Sequence, residues 1–216
     1  MESTLIIDDG QALPVTEVGN GTQPVVLVHG WTCNRKHWQP LLDSAPDGTR
    51  LIAVDLPGCG KSPAPRGAYS HAVTLAYLLD HLKIPRAHFV GISAGGYLTQ
   101  YLAMSHPDRI ESAALFGSTP GLKNSQAATW LPKVAKMGLR PFLAETIAER
   151  FDLDETDPGI VGFFLDQCAT NDAAFIGRFI GLMTTLDWSD RLSEIGCPTL
   201  IVMPGAETVG STKNYD

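Results

Sequence analysis

The sequence lacks a basic excess, a long apolar run, a leader-like start and paired cysteine motifs, and each absence excludes a class of protein. Sixteen Lys and Arg face 23 Asp and Glu, a net charge of −7. Phosphate binding needs a basic surface, so nucleic acid is excluded as the main partner, and an anionic membrane surface gains no support. No apolar run approaches the ~20 residues that span a bilayer. Met1-Glu2-Ser3-Thr4 has no basic region leading into an apolar one, so the expectation is a cytoplasmic protein without a secretion signal. The four cysteines, Cys33, Cys59, Cys168 and Cys197, have no Cys-x-x-Cys spacing. They read as reduced thiols rather than a disulfide framework or zinc site. Neither a metal nor a cofactor site is indicated. No internal repeat or low-complexity tract interrupts the chain.

What is present fits a soluble globular protein, with 44% hydrophobic and 18% charged residues. A chain of this length buries roughly 70% of its unfolded surface, so it needs no staple. Residues 5–7 and 13–18 read as a leading pair of strands around an Asp-Asp-Gly turn. Residues 24–28, Pro-Val-Val-Leu-Val, form a β-branched run typical of a strand buried on both faces. A helix is expected over 36–42 and another buried strand over 51–56. Ala72, Leu75, Ala76, Leu79 and Leu82 recur at helical spacing. A strand over 87–92 and a helical face of Ala94, Tyr97, Leu98, Tyr101 and Leu102 follow, and then a strand over 112–116. This alternation predicts an α/β fold with a mostly parallel, doubly wound sheet. Residues 119–196 break it: they are helical in pattern and rich in large apolar residues, and they read as an inserted lid. The domain expectation is a core over 1–118, the lid over 119–196, and the second part of the core over 197–216.

Gly91-Ile92-Ser93-Ala94-Gly95 lies between the strand over 87–92 and the helix that follows. A Gly-x-Ser-x-Gly sequence in that setting predicts a nucleophile elbow, a tight turn that exposes a serine hydroxyl. Its glycines avoid the clash that a Cβ would cause where strand, helix and backbone crowd together. Ser93 is therefore the candidate nucleophile. A serine hydroxyl needs a base, a group to orient that base, and donors for the oxyanion. His29-Gly30-Trp31 follows the strand over 24–28, and ligands in parallel sheets bind beyond the carboxyl ends of strands. The backbone N–H groups of Trp31 and Ala94 are the candidate oxyanion donors. His29 and Gly30, with Trp130 of the helical segment, are candidate substrate contacts, although His29 reads better as a group that orders its loop. Gly60-Lys61-Ser62 imitates the end of a P-loop, but Asp55 stands where its first glycine should be and prolines interrupt the helix.

The succession His29-Gly30-Trp31, Asp55-Leu56-Pro57-Gly58-Cys59-Gly60-Lys61-Ser62, then Gly91 to Gly96, resembles the α/β-hydrolase superfamily. It resembles especially the lidded serine members, such as 3-oxoadipate enol-lactonases and carboxylesterases. The resemblance implies hydrolysis of small carboxylic esters or enol-lactones through an acyl-enzyme on Ser93, without cofactor or metal. C–C bond hydrolases, perhydrolases and hydroxynitrile lyases share the serine turn, and a non-catalytic binding protein on the same fold is a further alternative. It also implies an acid after the strand near 199–203: an ungapped count gives Glu207, the candidate acid, whereas a one-residue shift gives Thr208, which could not serve. A carboxylate-bearing substrate would need a cation, for which Arg140, Arg150 and Arg178 are available. The family's base histidine would follow the acid, whereas all six histidines stand at or before His106. The expectation is therefore a C-terminally truncated, inactive chain, prone to self-association through an exposed sheet edge.

Overall fold

The computed structural model describes residues 1–7, 10–65, 70–123 and 125–205. Seven strands form one sheet: β1 (Glu2–Ile6), β2 (Ala12–Gly19), β3 (Pro24–Val28), β4 (Arg50–Val54), β5 (Ala87–Ile92), β6 (Ile110–Phe116) and β7 (Thr199–Val202). Their order is β1-β2-β4-β3-β5-β6-β7. β1 and β2 pair antiparallel, as do β2 and β4, and every later pairing is parallel. The expected mostly parallel α/β sheet is thus present, with an antiparallel border.

Strand periodicity divides the core between the two sheet faces. Val26, Val28, Ile52, Val54 and Phe89 point into the larger core. Leu27, Leu51 and Ala53 point the other way, onto Leu42. The larger core is shared with α2 (His71–His81) and α3 (Ala94–Ser105). Leu42 belongs to α1 (Gln39–Asp43).

Three elements differ from the sequence expectation. β1 starts at Glu2 rather than residue 5, and most of its side chains are exposed, so it offers no apolar alternation to read. Its pairing with β2 runs from Glu2 opposite Thr16 to Ile6 opposite Ala12. The helix expected over 36–42 is split into a 3₁₀ turn, Arg35–Trp38, and the short α1. Asn34 caps the turn, and Pro40 fits only within the first turn of the following helix. β6 begins two residues before the expected 112.

Between β6 and β7 lie α4 (Trp130–Met137), α5 (Leu139–Glu145), α6 (Pro158–Cys168) and α7 (Ala173–Met183). Asp157 and Asp172 cap α6 and α7 by accepting from Gly159 N at 2.6 Å and Phe175 N at 2.8 Å. Such caps satisfy helix donors that would otherwise be orphaned. The segment is tied to α3 by Trp188, which stacks on Tyr97 at 4.0 Å and on Tyr101 at 5.3 Å. On β7, Leu200, Ile201 and Val202 remain exposed. Among the described residues, no helix is long and apolar enough to cross a membrane.

Candidate active site

A cavity of about 710 Å³ opens where β3, β5, β6 and β7 end, lined by the residues that follow each strand. Ser93 sits at the junction of β5 and α3 with φ 51° and ψ −118°, a conformation that L-residues rarely adopt. The turn is held from several sides. Ser93 N donates to Phe116 O at 2.8 Å, and Ser93 O accepts from Gly96 N at 3.0 Å, Tyr97 N at 3.1 Å and Ser118 Oγ at 3.0 Å. A Cβ on Gly95 would lie 2.1 Å from Val28 O, and one on Gly91 2.5 Å from Gly96 N. Gly91 lets α3 start this close to β5, and Gly95 lets it pack against the end of β3. Ser93 is exposed, and among the described residues its hydroxyl makes no hydrogen bond.

The loop after β3 runs directly against this turn. A Cβ on Gly30 would stand 3.3 Å from Ile92 O and 3.5 Å from Ser93 Cβ. Trp31, next to Gly30, donates its indole N–H to Ile176 O at 3.1 Å and stacks on Trp130 at 5.2 Å. The sequence candidates Ser93, Ala94, His29, Gly30, Trp31 and Trp130 therefore line one cavity. Glu207 and Thr208 lie outside the described residues.

His29 is fully committed to its surroundings. Its Nε2 accepts from Leu56 N at 3.1 Å and its Nδ1 lies 2.9 Å from Gly30 O, which together fix the Nδ1–H tautomer. Burial lowers its pKa from 6.5 to about 4, so it is neutral near pH 7. Asp55, wholly buried, accepts from Arg35 N at 2.8 Å and Lys61 N at 3.0 Å and pairs with the Arg35 guanidinium. Arg35 Nε also reaches Thr16 Oγ1 at 3.0 Å. A Cβ on Gly60 (φ 56°) would fall 2.5 Å from the Asp55 carboxylate, which explains that glycine. The Asp-x-x-Gly-x-Gly run is a buried ionic brace beneath the loop, not a phosphate cradle.

Of the three arginines considered, Arg150 lines the cavity. Arg140 pairs with Asp166 at 2.9 Å on the surface, and Arg178 lies over the Phe175 ring. Arg150 donates to Thr146 O and Oγ1, both at 2.8 Å, and stands 3.9 Å from Glu149.

Sequence reasoning missed one cluster. Cys33, His37 and Cys168 bring their ligand atoms within 4.8 Å of one another beside the cavity. Cys33-x₃-His37 is a local signal, but Cys168 joins it only through the fold. Hydrogen bonding from Cys33, with His37 and Thr32 adding, lowers the Cys168 thiol from 9.0 to about 6 against the effect of burial. The same contact and burial push Cys33 up.

The model of the alpha/beta hydrolase fold family matches residues 23–153. A 3-oxoadipate enol-lactonase from Acinetobacter baylyi is 28% identical over 208 residues, 92% of this chain and 77% of that protein. A 2-hydroxy-6-oxononadienedioate/2-hydroxy-6-oxononatrienedioate hydrolase from Burkholderia vietnamiensis is 37% identical over 126 residues, 54% of this chain. The matched segment spans only 44% of that hydrolase and 45% of a Bacillus subtilis relative. The crystal structure of an enol-lactonase from Burkholderia xenovorans superposes with a TM-score of 0.89 at 22% identity, covering 98% of this chain and 85% of that one. The family match takes in β3, β4, β5, β6 and the Ser93 turn; this chain belongs to the α/β-hydrolase fold family.

Proposed function

We propose that this chain is a serine hydrolase of small esters or enol-lactones that carry a carboxylate. Ser93 is the nucleophile, and the backbone N–H groups of Trp31 and Ala94 receive the oxyanion. The observation that carries this reading is the strained Ser93 turn packed against Gly30 at the mouth of the cavity. Strain at an exposed polar residue is maintained only where the surroundings over-determine it, a pattern typical of functional sites. The cavity volume suits a small ligand. Trp31 and Trp130 give it an apolar wall, and the helices between β6 and β7 act as its lid.

Arg150 supports the carboxylate. A guanidinium can bind a carboxylate with two parallel hydrogen bonds, and this one lies in the cavity wall. The names of the Acinetobacter and Burkholderia vietnamiensis relatives denote carboxylate compounds, an oxoadipate and a dienedioate. The second relative favours an additional reading, hydrolysis of a C–C bond through the same serine.

Four of the six histidines are held by other partners. His29 is bonded through both nitrogens, and His37 belongs to the cysteine cluster. His88 and His106 bond Ser112 and Ser105. Losing the base of a serine triad costs ~10⁶ in turnover, whereas binding and oxyanion stabilisation survive. We therefore expect slow turnover from the 216-residue chain, with Glu207 as the acid that would orient a base.

The test is binding of 4-carboxyphenylboronic acid, whose boron bonds the Ser93 oxygen and becomes a tetrahedral anion as the serine proton is released to solvent. Arg150→Ala should weaken it by about 10–100-fold, the worth of a hydrogen bond to a charged group, and Ser93→Ala, which removes the oxygen that boron bonds, should weaken it by at least as much. Unsubstituted phenylboronic acid should respond to Ser93→Ala only. Binding indifferent to Ser93→Ala overturns the nucleophile; equal losses of both probes on Arg150→Ala overturn the carboxylate site.

A further inference from the structure

We infer that Cys33, His37 and Cys168 form a binding site for a thiophilic d¹⁰ cation of the Zn²⁺ class, with one coordination position open to the cavity. The three ligand atoms lie within 4.8 Å of one another, and Cys168 Sγ is 3.9 Å from His37 Nε2. Zinc–sulfur and zinc–nitrogen bonds of ~2.3 and ~2.0 Å at a tetrahedral ion put ligand atoms roughly 3.5–3.8 Å apart. The cluster therefore needs only a small contraction to close on a metal. Two thiolates and one imidazole are a donor set that soft and borderline cations prefer.

The surroundings are built to hold these donors still. His37 Nδ1 accepts from Asn34 N at 3.1 Å and lies 3.2 Å from Asn34 O, which fixes the ring with Nε2 toward Cys168; metal binding at Nε2 would move the proton to Nδ1, which then donates to Asn34 O. The edges of Phe163 and Phe164 flank the His37 ring at 5.9 and 5.3 Å. The loop carrying Cys33 is tied to the chain carrying Cys168 by side-chain hydrogen bonds. Asn34 Nδ2 donates to Gln167 O at 3.2 Å and Thr170 Oγ1 at 3.3 Å, and Asn171 Nδ2 donates to Thr32 O and to Cys33 O. Donors 135 residues apart in the chain are thus held together by the fold.

Cys33 and His37 line the cavity, whereas Cys168 is fully buried behind them. Three protein donors on the inner wall leave the fourth position facing the cavity, the arrangement of an open rather than a closed zinc site. Arg150, also in the cavity wall, interacts electrostatically with both thiols. Two thiolates neutralise a divalent cation, so this further positive charge favours an anion, hydroxide or carboxylate, as fourth ligand. The inference does not depend on the role proposed for Ser93.

The test is titration of the reduced 216-residue chain with Co²⁺, followed by displacement with Zn²⁺. Expected are one Co²⁺ per chain, a thiolate-to-cobalt charge-transfer band, the visible d–d bands of a tetrahedral site, and their loss on adding zinc. Cys33→Ser, at a half-buried position, and Cys168→Ser should abolish the charge-transfer band at stoichiometric cobalt, and Cys197→Ser should leave it intact. Should Cys168→Ser fail to fold, Cys33→Ser against Cys197→Ser decides alone. No thiolate band in the reduced wild-type chain, or a band that survives Cys33→Ser, overturns the site.

Discussion

Replacing Ser93 with glycine should make the protein more stable than replacing it with alanine. Alanine removes only the hydroxyl, which has no hydrogen-bond partner among the described residues. Glycine also removes the Cβ that makes φ 51°, ψ −118° unfavourable. The backbone cannot relax out of this conformation, because Phe116 O, Gly96 N, Tyr97 N and Ser118 Oγ hold both sides of the Ser93 peptide. A non-glycine residue held in such a region costs about 1–3 kcal/mol. Glycine returns roughly 0.5–1 kcal/mol of that through the greater entropy of the unfolded chain. The balance leaves Ser93→Gly more stable than Ser93→Ala by about 0.5–2 kcal/mol. For a chain of this size each kcal/mol moves the melting midpoint by about 2–4 °C. The measurement is a pair of urea titrations with equal m-values, backed by thermal melts. A Ser93→Gly midpoint at or below that of Ser93→Ala would refute stored strain at the serine.

Asp55→Ala should destabilise the fold by about 3–5 kcal/mol, because it leaves the Arg35 side chain, only 4% exposed, with the exposed Glu2 carboxylate at 3.6 Å in place of its buried partner. A loss below about 1 kcal/mol in urea unfolding would show that the brace beneath the loop is not needed. His29 should make stability fall with acid. Its folded pKa of about 4 lies below its unfolded value of 6.5, so the unfolded state takes up the proton first. That contribution is complete above pH 6.5 and is lost between pH 6.5 and 4, roughly 3 kcal/mol at 1.36 kcal/mol per unit. Urea midpoints of the wild type and His29→Gln across this window check it, and parallel pH profiles would exclude His29 as the cause.

The sequence disclosed the parts of the fold governed by local pattern. Residues 24–28 and 87–92 are strands with the expected limits, because short apolar runs bounded by turn residues have few other outcomes. β1 was half legible, since an edge strand held by its ladder to β2 needs no apolar alternation. The break between Trp38 and Gln39 was hidden because the apolar spacing continues through it, while capping by Asn34 and the placement of Pro40 set the boundary. At the site, Ser93 and Gly30 were readable because each neighbourhood is a contiguous motif. The Arg35–Asp55 pair and the Cys33–His37–Cys168 cluster were not, for each joins residues whose proximity is created by packing.

Trp31 links these two kinds of information. Its backbone N–H belongs to a loop whose position is set locally, by the end of β3 and by Gly30 against Ser93. Its side chain is held from a distance, by the bond to Ile176 O on α7 and by the stack on Trp130 of α4. A shift of either helix therefore acts on the ring and, through one Cα, on the proposed oxyanion donor. Oxyanion stabilisation depends on donors fixed before charge develops, and losing one costs about 3–4 kcal/mol of barrier. The helices between β6 and β7 thus shape the cavity wall and also bear on the geometry of the proposed donor in the loop after β3. Substitutions that alter substrate choice by repacking Trp130 should, by this coupling, also change how well Trp31 N–H meets the oxyanion.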